Sequence, residues 1–202
     1  MTDKPILGVI GGIASGKSTV AEALARHGGR VVSGDPVGHT ALLDPQILER
    51  VKERWPQSIG PDGAVDRKVL GRIVFSDKRQ LRELESLVFP WIKNHLRREI
   101  DQANADPAVC FVVLDAAVML EAGWSNVCDK LIFVEAPHAA RVSRTASRGW
   151  TTDDLDRRER SQIALEVKKT QANAVIQNEG DLVALDSQVS ELLKKWGLRD
   201  KS

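Results

Sequence analysis

An α/β fold, a three-layer arrangement around a parallel sheet, is what this 202-residue sequence predicts. Two observations carry that expectation. Short apolar strands alternate with helix-period segments, the pattern of βαβ units. The first strand also breaks into a glycine-rich turn and then a helical pattern, GVIGGIASGKSTV over residues 8–20.

ILGVI (6–10) is a near-continuous apolar strand, as a strand covered on both faces should be. RVVS (30–33), CFVVLD (110–115), KLIFVEA (130–136) and AVI (174–176) supply four more. Between the second and third lie four segments with apolar residues at helical spacing: 45–55, 66–75, 77–89 and 91–103. Ser76 is placed to cap the third, and Pro90 separates it from the fourth. QSIGPDGA (57–64) is a turn-rich loop. This excursion is too long for a simple crossover, so it reads as an inserted helical subdomain.

Residues 141–169 carry eight basic against five acidic side chains, whereas the whole chain is only +1. There RGWTTDDL (148–155) interrupts two arginine-bearing helices with a turn and a fresh cap, which suits a basic hairpin closing over phosphates. The last helix, 181–197, ends in lysines and Gly197, with Val183, Leu185, Val189, Leu192 and Leu193 read as core.

Composition narrows the function classes. Hydrophobic residues are 42% and charged residues 28%, ordinary for a protein with a real core. The small net charge gives no global field for nucleic acid. No apolar run approaches the ~20 residues of a membrane helix. MTDKPILGV enters a strand pattern at once, with no room for a secretory signal. Cys110 and Cys128 flank apolar runs and read as buried reduced thiols, so a cytoplasmic location is expected. Trp55, Trp91 and Trp124 read as packing residues, and Trp150 as the one placed for ligand contact.

Gly11 to Ser18 fits G-x-x-x-x-G-K-[ST]. Glycines let successive N–H groups converge on an anion, and the following helix adds its positive end. Lys17 should reach the β- and γ-phosphates and Ser18 should ligate Mg²⁺. Composition alone would give this pattern in roughly one such chain in a hundred, and its place between strand and helix strengthens it. The expected fold is therefore that of a P-loop NTPase.

Asp35 and Asp115 each follow a strand, where a parallel sheet presents its ligands. Either alone fits a cap or turn equally well. Both beside a phosphate loop favour phosphoryl transfer to an alcohol, which needs a base, a metal and cations. Asp35 as base, Ser18 and Asp115 at the metal, and Lys17 with arginines of the basic hairpin would supply them.

At these residues the sequence resembles the dephospho-coenzyme A kinase family. The likeness adds DGAVDRKVLGRIVFSD (62–77), VVLDAAVMLEAGW (112–124), RGW (148–150), Gln162, Lys168 and IQNEG (176–180). It implies one domain over 1–202 with three parts. A nucleotide-binding core takes 1–38, 108–138 and 172–202; a helical acceptor subdomain for the CoA moiety takes 39–107; a lid takes 139–171. It implies ATP and Mg²⁺ as cofactors and dephospho-CoA as the small-molecule partner; composition and charge lead us to expect no nucleic acid or membrane partner, and a monomer or weak oligomer is expected. Gly12, Ile13, Ala14, Ser15, Gly16, Lys17, Ser18 and Thr19 would bind the nucleotide, with Asn178 near its adenine. Asp35 matches the family's catalytic base, and Arg67 and Glu121 match positions near the acceptor. Arg141 or Arg144 would reach the phosphates, without a choice between them.

The sequence departs from the family pattern at Ile10, Ala14, Ser33, His39, Phe89 and Ala117. The change at Ser33 removes a carboxylate and that at His39 a fixed cation. Three other readings stay open: another small-molecule kinase of this fold, a nucleotide-binding paralogue without transfer, and a nucleotide switch. The switch is disfavoured because D-x-x-G occurs at 35–38 but no N-K-x-D follows.

Overall fold

Five parallel strands form the sheet: β1 (Ile6–Gly11), β2 (Gly29–Ser33), β3 (Phe111–Asp115), β4 (Lys130–Glu135) and β5 (Ala174–Gln177). Their order is β2-β3-β1-β4-β5, with β1 central. The computed structural model describes residues 4–147 and 149–198, the side chains of Asp35 and Pro36 excepted. Parallel strands all point their carboxyl ends to one edge, so the segments leaving β1 and β3 emerge side by side there. Asp115 is in register with Val9 on one side and Ser33 on the other.

The helices, in chain order, begin with α1 (Lys17–Arg26), α2 (Gly34–Ala41), α3 (Pro45–Arg54), α4 (Arg67–Ser76) and α5 (Lys78–Ala105). They continue with α6 (His138–Ala146), α7 (Thr152–Glu159), α8 (Leu165–Thr170) and α9 (Leu182–Trp196). The chain forms two compact units, one holding residues up to Ser33 and from Arg98 onward, the other Gly34–Arg97. In the first, Leu7, Val9, Val113, Ile132 and Val134 meet Val20 and Leu24 of α1 and Leu185, Val189 and Leu193 of α9. Alternate residues Val112, Leu114 and Phe133 are equally buried, so both sheet faces are covered and the strands read as unbroken apolar runs. In the second unit Trp55 is buried and donates Nε1 to Gln80 at 2.9 Å. Trp91 Nε1 donates to Asp44, which also caps α3.

The strands fall where the pattern predicts, and several local expectations need correction. Ser76 does not cap the next helix; it ends α4 and donates to Ile73 O, while Asp77 accepts from the Arg79 amide. Pro90 does not separate two helices, because α5 runs 28 residues straight through it. Both Pro90 and Ser86, the residue whose carbonyl would otherwise accept the missing amide, are exposed, so the lost bond leaves no buried polar group. Val183 is 75% exposed and lies off the core face of α9. Cys110 and Cys128 are free but only half-buried. Among the described residues no helix is long and apolar enough to cross a membrane.

Candidate active site

The phosphate loop leaves β1 at Gly11 and ends at Gly16, the residue that starts α1. Gly16 sits at φ 93°, and a Cβ there would lie 1.9 Å from Asn178 Nδ2, so no other residue fits. Ala14 holds a left-handed φ of 58° without being glycine. The first turn of α1 has no acidic residue and no side-chain cap, which leaves its amide ends and positive dipole to an anion. Lys17 folds over the loop, donating Nζ to Gly12 O at 3.0 Å. Ile13 and Thr19 flank this turn, both half-buried.

Ser18, exposed on α1, donates its hydroxyl to Oδ2 of Asp115 at 2.9 Å. Asp115 itself is only 7% exposed at the end of β3. A hydroxyl and a carboxylate are hard oxygen donors, and Mg²⁺ takes one or two such protein ligands with water and phosphate oxygens for the rest. The pair fits that ion, while among the described residues no cluster of three His, Cys, Asp or Glu could hold a metal by itself.

Two arginines of α6 meet the loop differently. Arg141 is buried and ion-paired with Glu159 at the end of α7, its Nη1 3.0 Å from where a Cβ on Gly12 would stand. Its Nε and the Ser15 hydroxyl are both buried with no partner among the described residues. They line a cleft of about 50 Å³ with Gly12, Phe133, Glu135 and Leu165. Arg144 instead spends its guanidinium on carbonyls, Nη1 on Ala14 and Ser15 and Nη2 on Asn178. Asn178 Nδ2 donates to the same Ser15 oxygen at 2.7 Å.

Glu121 lies in a buried polar network. Its Oε1 accepts from the Ile163 amide and pairs at 2.9 Å with Lys168, which is 2% exposed and also donates to Gln162. Beside it, Lys169 and then Gln177 hydrogen-bond Glu135 and hold its carboxyl below the usual range. Thr151 and Asp154 cap α7 reciprocally, and Arg158 stacks 4.1 Å over the Trp150 ring. Burial lowers the affinity of Arg158 for its proton. Arg67 belongs to the other unit, where it donates to His39 Nε2. Asp35 falls in the first turn of α2, directly after β2; its side chain, like all of Arg148, lies outside the described residues.

The structure therefore gathers Gly12, Ala14, Ser15, Gly16, Lys17, Arg141, Arg144 and Asn178 about one loop, and Ser18 against Asp115. Glu159 was not among the expected site residues, and Lys168 was named only as a position of the family pattern. Glu159 is one of four acids among the arginines of 141–160, and nothing local singles it out.

The family model CoaE, described as Dephospho-CoA kinase, matches residues 5–184. The chain belongs to the dephospho-CoA kinase family. A dephospho-CoA kinase of Latilactobacillus sakei is 34% identical over 190 residues, covering 93% of this chain and 94% of that one. The crystal structure of TT1252 from Thermus thermophilus matches with a TM-score of 0.81 at 31% identity, over 96% of this chain and 98% of that one. The dephospho-CoA kinase of Campylobacter jejuni, at 23% identity, shares the fold with a TM-score of 0.61 over 96% and 98% of the two chains. As a dephospho-CoA kinase family member the chain is an ATP-dependent kinase. Two departures from the dephospho-CoA kinase pattern gain a setting here: Ser33 ends β2 opposite Asp115, and His39 takes a hydrogen bond from Arg67.

Proposed function

We propose that this chain transfers the γ-phosphoryl group of ATP to the ribose 3′-hydroxyl of dephospho-CoA, giving coenzyme A. The observation that supports it most is the intact donor site, Gly12–Thr19 with Lys17 on the loop and Ser18 bonded to Asp115, in a chain matched nearly end to end by the family. The loop amides and the α1 dipole bind the β- and γ-phosphates, and Lys17 neutralises them. Mg²⁺, when bound, would be held by Ser18 and Asp115 and would supply further charge neutralisation. Of the two α6 arginines, Arg141 is the one for the transferring group, since its guanidinium lies beside Gly12. Asp35 takes the proton of the 3′-hydroxyl as that oxygen attacks the γ-phosphorus and the β,γ-bridging oxygen leaves with ADP.

Residues 39–107, with Arg67, form the acceptor side in this reading, Glu121 serves the acceptor as a matching family position, and residues 139–171 close as the lid. The partner is a small molecule, and the enzyme works in the cytoplasm.

Purified protein with Mg-ATP should convert dephospho-CoA to coenzyme A. Asp35→Asn should abolish turnover while ATP still binds. Transfer to a different alcohol but none to dephospho-CoA would sink the acceptor assignment, and ATP binding with no reactive acceptor would mark a paralogue that has lost transfer.

A further inference from the structure

We propose that Asn178 and Arg144 are positioning residues that hold the phosphate loop in its anion-binding shape from behind, through its carbonyls. The inference rests on the reading that the loop carries the ATP phosphates, and extends it to residues behind the loop.

An anion nest needs its amides turned inward, which turns its carbonyls outward into the protein. An outward carbonyl must find a donor when buried. Here Ser15 O receives two, Asn178 Nδ2 at 2.7 Å and Arg144 Nη1 at 3.1 Å. Ala14 O receives Arg144 Nη1 at 3.1 Å, at the one non-glycine residue with positive φ among those described. A trans peptide is planar with C=O and N–H opposed, so gripping Ser15 O also aims the N–H of Gly16.

The grip is anchored on both sides. Asn178 N donates to Glu135 O at 2.8 Å, and Asn178 O receives Arg144 Nη2 at 3.0 Å. Asn178 is 8% exposed, and its amide nitrogen fills the space that a side chain on Gly16 would need. The segment after β5, helix α6 and the loop are thus locked by three residues far apart in sequence.

The test separates a loop brace from a base reader. Binding of inorganic tripolyphosphate, ATP and GTP, each with Mg²⁺, is measured by calorimetry on the full chain and on Asn178→Ala and Arg144→Lys. Loss of a buried hydrogen bond weakens binding about tenfold. Both variants should weaken tripolyphosphate and ATP by the same factor and leave the ATP-to-GTP preference unchanged. Weakened ATP with unchanged tripolyphosphate, or a lost base preference, would overturn the proposal and make Asn178 a reader of the base. Arg144→Lys keeps the charge and carries the test if Asn178→Ala does not fold; wild-type tripolyphosphate affinity in it would overturn the role of Arg144. Should the unaltered protein fail to bind tripolyphosphate, or Lys17→Ala bind it normally, the phosphate-loop reading itself would fall.

Discussion

The Ser18 hydroxyl donates to Asp115 Oδ2 across 2.9 Å, joining the first turn of α1 to the end of β3. Removing the carboxylate charge with Asp115→Asn takes away an anionic oxygen that a hard cation needs. The Mg²⁺ concentration giving half-maximal rate should rise about tenfold or more, the scale of one charge-assisted contact. A titration of rate against Mg²⁺ checks it, and an unchanged midpoint would remove Asp115 from the metal site.

Gly16 and Ala14 both hold left-handed backbone, so substitutions there should act in opposite directions. Gly16→Ala puts a methyl 1.9 Å from Asn178 Nδ2 at φ 93° and should lower Tm by several degrees with loss of ATP binding. Ala14→Gly, at φ 58°, relieves about 1 kcal/mol of strain and gives part of it back as unfolded-chain entropy. Scanning calorimetry should find its Tm at or slightly above wild type.

Lys168 and Glu121 form a nearly dry ion pair. Lys168→Met strands a buried carboxylate and should destabilise the fold by about 3–5 kcal/mol. The double variant Glu121→Leu/Lys168→Met should recover most of that, short of about 1 kcal/mol for the Ile163 amide left without its acceptor. Denaturant unfolding of the single and double variants decides between this and a surface-like pair, for which both would be near neutral.

Burial, and less so Asp129, pushes the Cys128 thiol up to about 12 from an ordinary 9.0. The folded chain therefore keeps this proton where the unfolded chain loses it. Its contribution to stability is full below pH 9.0 and is progressively lost as pH rises toward 12. Cys128 should resist iodoacetamide at pH 8 until the chain is unfolded, which mass spectrometry of labelled peptides can follow. Rapid labelling in the native state would contradict the burial.

Strands and phosphate loop were readable because their signals are local. An apolar run such as ILGVI and the punctuation of GKS need no knowledge of distant residues. α2 went unassigned because GDPVGHTA, with Gly34, Pro36 and Gly38, carries too few apolar residues for a helical period, although proline is welcome in a helix's first turn. Pro90 misled for the opposite reason: whether its missing hydrogen bond matters depends on which face meets water. The bonds behind the loop were out of reach altogether. Asn178 and Ser15 stand 163 positions apart, and nothing in IQNEG says that its amide ends on a carbonyl near the amino terminus.

The ion pair between Arg141 and Glu159 bears on how a nucleotide gains entry. A guanidinium already holding a carboxylate cannot offer its full charge to an incoming anion. In the reading proposed above, a phosphate reaching Arg141 meets a guanidinium whose Nη1 is already held by Glu159 and whose Nε has no partner among the described residues. Glu159 thus balances the buried charge of Arg141 before any anion arrives.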